Sequence, residues 1–177
     1  MRALELFGSI GLLAAVAFNA NAQCTASGSP ANCGQPGSVS MTAGRVVRLQ
    51  MSAGSTSLSA PTTANFDAGF NSTTGPTLTV SANAAWTLQI RAASALWTAT
   101  NTASGVAARV DKPAADLKWS TSSGGVFTAL GASDASLVNG AATASNATTL
   151  YFQTLYNWSV DTPGNYSLSI VLTLTSP

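Results

Sequence analysis

The stretch "YSLSIVLTLT", residues 166 to 175, alternates without a break: Tyr166, Leu168, Ile170, Leu172 and Leu174 share one parity, and Ser167, Ser169, Val171, Thr173 and Thr175 the other. Successive side chains of an extended strand point to opposite faces, so a period of two over this length specifies a strand with one apolar face and one largely hydroxyl face. The first face predicts core, and the second a surface open to solvent or a partner. The preceding Thr162-Pro163-Gly164-Asn165 fits a type II turn, with Pro fixing φ at the second position and Gly accepting a positive φ at the third.

The same alternation recurs. Val47, Leu49 and Met51 oppose Arg48 and Gln50, and Trp86, Leu88 and Ile90 oppose Thr87, Gln89 and Arg91. Both segments predict half-buried antiparallel strands. From Pro61 a Gly-rich loop is expected to lead into a strand at Thr77 to Val80; residues 77–82 and 85–91, meeting at a turn around Asn83, read as either a hairpin or one bulged strand. Further short strands are expected in "SALWTAT", "GVAARV", "DLKWSTS", "GVFTAL" and "ASLV". In "TLYFQTLYNWSV" apolar groups fall on both faces, Phe152, Tyr156 and Trp158 on one and Tyr151 and Leu155 on the other, as in a central strand or one under a loop. Helix-favouring residues are scarce, and Glu is absent after Glu5. The expected fold is therefore all-β, an antiparallel sandwich, with a closed barrel as the alternative. No internal repeat suggests a propeller or β-helix.

At the N-terminus, "MRALELFGSIGLLAAVAFNANAQC" has an early Arg, an apolar run from Ile10 to Phe18, and Ala20 and Ala22 flanking Asn21. These are the three regions of a secretory signal peptide, with cleavage expected after Ala22. The run is too short for a membrane span. Residues 23–44 then form an N-terminal arm, and residues 45–177 the sandwich domain. Cys24 and Cys33 are the only cysteines, and in an oxidising compartment they are expected to pair within the arm. Export places the chain in the periplasm, at the cell surface or outside the cell.

Composition excludes several function classes. Charged residues make up 7% of the chain and the net charge is +1, so there is no electrostatic footprint for nucleic acid or an anionic membrane. The sequence has no His, removing the usual base of nucleophilic triads and the commonest zinc ligand. The Asp residues at 67, 111, 116, 134 and 161 are dispersed, and Asp111 and Asp116 read as solvated loop groups beside Lys112. No phosphate-cradling motif is present. Neither an enzyme nor a resident cofactor or metal is expected. Asp67 and Asp134 would supply oxygens to calcium only outside any D-x-D-x-D loop, and read better as loop-capping groups. A Lys-to-Asn isopeptide bond would draw on Lys118, Asn157 and an Asp.

The segment "DTPGNYSLSIV", Asp161 to Val171, resembles the corner and following strand of immunoglobulin-like domains, in which Asp, Gly and Tyr precede an alternating strand. The resemblance implies that Asp161, Gly164 and Tyr166 form a tyrosine corner, the Tyr166 hydroxyl bonding backbone near the turn. With the signal peptide, "FDAGF" before a strand and "TVSANAAWTLQI", the chain is similar in layout, over residues 39 to 177, to secreted bacterial sandwich proteins of the spore-coat-U and fimbrial-subunit kind. It departs from them in placing both cysteines ahead of the sandwich.

Two roles follow as expectations. The first is a structural subunit of a surface or extracellular filament or coat, self-associating or binding other surface proteins through β-strand contacts, with Val39 and Met41 of the arm as alternate apolar groups that either pair within the arm's own sheet or add to a neighbour's, and the closing strand beside the edge where assembly occurs or is prevented. The second is a monomeric carbohydrate-binding or adhesin module stacking sugars on exposed aromatics. For that role Trp97 and Trp119 are the candidates, while Trp86 and Trp158, in phase with apolar neighbours, are assigned to the core.

Overall fold

The structure is a computed structural model that describes residues 26–29, 33, 38–101 and 106–177. The expected signal peptide and Cys24 lie outside the described residues. The chain divides into a unit ending at Thr42 and a compact unit from Ala43 to Pro177, which contains every regular element found among the described residues.

In the second unit a five-stranded antiparallel sheet has the order β1 (Val47–Met51), β2 (Phe70–Ala82), β8 (Thr143–Leu155), β5 (Leu117–Ser120), β6 (Thr128–Ala129). A three-stranded antiparallel sheet has the order β10 (Ile170–Thr175), β3 (Trp86–Ala92), β7 (Ala135–Gly140). A small ribbon pairs β4 (Thr98–Thr100) with β9 (Asn165–Ser167). The sheets stay open at their edges, so no barrel closes.

Alternate residues of β2, β3, β5 and β8 meet in one cluster. Leu78 and Val80 of β2, Leu88 and Ile90 of β3, and Leu150 and Phe152 of β8 are all buried within it. Full burial of each such side chain stabilises the fold by about 1.5–3 kcal/mol. Trp86 sits in the cluster and donates its indole N–H to the Ala141 carbonyl at 2.8 Å, so its one polar atom is satisfied. The strand β8, apolar on both faces in sequence, is central, between β2 and β5.

Several expectations change. Residues 77–82 and 85–91 are neither a hairpin nor one bulged strand: β2 belongs to the larger sheet and β3 to the smaller, and the chain crosses between them at Asn83. That side chain holds the crossing by accepting from Val46 N–H and donating to the Gly44 carbonyl, both at 2.8 Å. The expected loop after Pro61 contains a short helix, α1 (Thr63–Ala68), and strand β2 begins seven residues early. Thr62 and Asn65 form a reciprocal capping box, and Gly69, at φ 78°, ends the helix in the left-handed conformation. The expected strand "GVAARV" does not form over its described residues, because side chains occupy its backbone donors: Asn101 takes Ala108 N–H and Tyr166 takes Arg109 N–H. The closing strand splits into β9 and β10, yet Tyr166, Leu168, Ile170, Leu172 and Leu174 all keep their predicted parity against the core.

Candidate functional site

The strand β1 is one of the two outer strands of the larger sheet and β10 one of the two of the smaller; among the described residues each pairs on one side only, β1 with β2 and β10 with β3. Between β1 with the segment 53–58 that follows it, and β9–β10, runs an open groove of about 780 Å³. Trp97, Leu117 and Phe152 form its floor, and Leu49, Leu168 and Ile170 line its walls. Trp97, Leu117 and Phe152 are core residues, so the groove reaches the interior of the sandwich. An extended segment with apolar groups at alternate positions could both fill such a groove and hydrogen-bond the free side of an edge strand.

At the β9 end of the groove lies a polar corner. The Tyr166 hydroxyl donates to the Thr162 carbonyl at 2.6 Å and accepts from Arg109 N–H at 3.0 Å. Gly164 does not supply the positive φ of a type II turn, which overturns the turn type expected from sequence. It is needed for space: a Cβ there would lie 2.6 Å from the Ala108 Cβ and 3.2 Å from the Thr100 carbonyl oxygen. The Pro163–Gly164 step therefore serves the close approach of the 100–108 segment.

Asp161 anchors the corner. Its Oδ1 accepts from Lys112 Nζ at 2.9 Å and from Arg109 Nη1 at 3.0 Å, and its Oδ2 accepts from Asn157 N–H at 2.8 Å. The Lys112 side chain is only 3% exposed and that of Asp161 7%. The three N–H groups of the Lys112 ammonium match three acceptors, Asp161 Oδ1, Asp116 Oδ2 at 3.2 Å and the Leu155 carbonyl at 2.9 Å, and Nζ lies 5.5 Å from the centroid of the Tyr156 ring. Burial alone would raise the Asp161 pKa, but the hydrogen bonds from Lys112 and Arg109 outweigh it and hold the carboxyl below its ordinary range. The same burial, with the Asp161 charge nearby, pushes the Tyr156 hydroxyl up.

Asp116 is thus no solvated loop group: its side chain is 20% exposed and pairs with both Lys112 and Arg109. Asp111 is solvated at 80% exposure, against Arg109 Nε. Sequence reasoning misses Lys112 because a lone lysine in "RVDKPAAD" looks like any exposed one. The only hint is the crowding of Arg109, Lys112 and two Asp into eight residues of a chain otherwise nearly without charge.

The aromatic assignments need correction. Trp97 and Trp119 are 6% and 7% exposed, so neither offers a face to a sugar ring. Trp97 lies in the core with its indole N–H on the Pro113 carbonyl, and Trp119, on β5, faces the core beside Leu117. Trp158, assigned to the core by its parity, is 59% exposed, because β8 ends at Leu155 and the alternation carries no meaning beyond it. It stacks on Phe66 of α1, centroids 4.5 Å apart, and donates its indole N–H to Asp67 Oδ1 at 3.0 Å. Phe66 also touches Tyr156 at 5.3 Å.

In the first unit Val39 and Met41 are exposed. The bridge expected between Cys24 and Cys33 has its Cys24 end outside the described residues. Asp134, weighed as an oxygen ligand, lies 3.4 Å from Arg91. Lys118 lies opposite Gln153 in the β5–β8 pairing, four positions short of Asn157, so the pair considered for self-linking is not brought together. Compared with known proteins, the chain matches no protein family and no curated protein.

Proposed function

We propose that this chain is an exported, non-enzymatic structural subunit, an immunoglobulin-like sandwich that assembles into a surface or extracellular filament or coat through β-strand contacts. The observation that carries the reading is the groove between β1 and β9–β10. It runs between two edge strands, each paired on one side only among the described residues, and the partly buried Leu49, Leu168, Ile170 and Leu172 along it pack against the core. Such a surface favours an added strand, since the backbone of the edge supplies hydrogen bonds and the groove supplies pockets for alternate side chains. The arm of a second copy has the required pattern at Val39 and Met41, with Ser38 and Ser40 between and beside them. The immunoglobulin-like assignment is supported by the Tyr166 hydroxyl on the Thr162 carbonyl, and export by the composition of residues 1–22.

The test is negative-stain electron microscopy of the purified exported protein beside a form lacking residues 23–44. Filaments or rings in the first and single particles in the second are expected. Monodisperse particles in both would reject assembly through the arm.

A second reading is favoured by one observation, the exposed Trp158 stacked on Phe66 with the Asp67 carboxylate alongside. An indole face beside a hydrogen-bonding carboxylate suits a sugar ring, and a glycan-binding module would use this place. Retention on a polysaccharide column that disappears in Trp158→Ala and survives removal of residues 23–44 would transfer the weight to it.

A further inference from the structure

The polar corner contains an amine and a carboxyl that are buried together with a second carboxyl in contact with the amine. We propose that Lys112 and Asp161 condense to an intramolecular isopeptide bond, with Asp116 as the proton relay.

Lys112 Nζ lies 2.9 Å from Asp161 Oδ1 and 3.2 Å from Asp116 Oδ2, and its side chain is almost wholly excluded from solvent. Holding the reacting groups in contact replaces an encounter in solution by a step within one site, which removes much of the entropic part of the barrier. Exclusion of water also favours the condensed product, because two buried charges become one neutral amide.

The step balances without any external reagent. One ammonium proton passes to Asp161 Oδ1, giving a neutral amine and a neutral carboxylic acid. Lys112 Nζ attacks Asp161 Cγ, forming the C–N bond. Asp116 Oδ2 takes a second proton from the nitrogen and returns it to Oδ1, and the C–O bond breaks to release water. The new amide keeps Asp161 Oδ2 as its carbonyl oxygen, already facing Asn157 N–H at 2.8 Å, and one N–H, already facing the Leu155 carbonyl at 2.9 Å. Both remaining polar atoms of the product therefore have partners in place. Arg109 works against the first transfer, since Nη1 donates to the same Oδ1 at 3.0 Å and favours the charged carboxylate. It thereby slows the reaction.

The bond would tie the start of the 3₁₀ turn before β5 to the turn between β8 and β9, positions 49 residues apart, at the end of the groove where assembly is proposed. It does not depend on that reading, because the chemistry is internal to one chain.

The experiment is a tryptic digest of the full chain after denaturation and reduction. Trypsin cuts after Arg109 and Lys118 but not between Lys112 and Pro113, so it releases residues 110–118 and 119–177. The expected result is one species lighter than the two peptides together by one water and bearing two amino termini, Val110 and Trp119. Two separate peptides, even after prolonged incubation of the folded protein, would overturn the proposal and leave an ion pair. In Lys112→Arg the cation is kept and the nucleophile lost, so separate peptides are expected. A joined species in that variant would place the link elsewhere and overturn the assignment. Asp116→Ala should leave the peptides separate, and Arg109→Gln, in which the cut after residue 109 is lost and residues 92–118 take the place of 110–118, should speed the joining. A joined species in Asp116→Ala at the wild-type rate removes Asp116 as relay.

Discussion

The centre of the sandwich and its polar corner hold the same chain together by opposite means. At the centre, Leu88 and Ile90 of β3 pack on Leu78, Val80 and Leu150 across the two sheets, with no exposed surface on Leu88, Ile90 or Leu150. These contacts have no preferred direction and tolerate exchange among similar shapes. At the corner, Tyr166, Lys112, Asp161 and Arg109 join two loop segments and strand β9 through hydrogen bonds of fixed direction. Removal of one partner there leaves another buried and unsatisfied. The difference teaches that the sheets need only apolar alternation, whereas the loops at one end of them are positioned by a few irreplaceable atoms.

Substitutions in each region test that contrast. The largest loss of stability is expected for Asp161→Ala: the variant has no covalent link and keeps a buried Lys112 ammonium whose carboxylate partner is gone, and stranding one member of such a pair alone costs about 3–5 kcal/mol, measured by urea unfolding. Leu88→Ala should cost about 2–5 kcal/mol by the same measurement, through lost transfer energy and a cavity. If Leu88→Ala proves the milder of the two by a wide margin, the core can relax around its voids while the corner cannot. Tyr166→Phe keeps the ring against the core and removes only the hydroxyl, so about 1–3 kcal/mol is expected, with the Thr162 carbonyl and Arg109 N–H both losing a partner.

Acid gives a different handle on the corner. In Asp116→Ala, where Asp161 stays an ion pair, its depressed pKa means that the stabilisation is complete above the unfolded carboxylate range near ~4 and is lost as pH falls through the lower folded value. Urea midpoints should therefore drop below pH ~4 in Asp116→Ala, and the wild type, with Asp161 condensed, should lack that component. The smallest effect is expected for Trp158→Ala, within about 0.5–1 kcal/mol, because the ring is mostly exposed and loses chiefly its stack on Phe66.

Alternation makes the central part legible in advance. Trp86, Leu88 and Ile90, and Tyr166 to Leu174, carry their parity directly into burial because a strand has only two faces. Parity says nothing about where a strand stops, which is why it puts Trp158 inside, nor about which sheet a strand joins, which is why the crossing at Asn83 reads as a turn within one sheet. The buried tryptophans Trp97 and Trp119 lie in stretches rich in Ser and Thr, so local composition conceals them. Lys112 is the hardest to read, because its partners, Asp161 and the Leu155 carbonyl, come from residues more than forty positions away.

The crossing at Asn83 has a consequence for the ends of the domain. Asn83 binds Gly44 and Val46 where the chain enters β1, and Ser176 Oγ, just past β10, binds the Ala85 carbonyl at 2.7 Å. Entry and exit are thus tied to the same few residues at one pole of the sandwich. A short linker from Ser176 to Gly44 would span them, and new termini opened in the exposed turn at Thr121 to Gly124 should leave the sheets intact. Pulled by these two ends, the domain would be loaded at that pole first, and β1 and β10 would peel from β2 and β3 a few hydrogen bonds at a time.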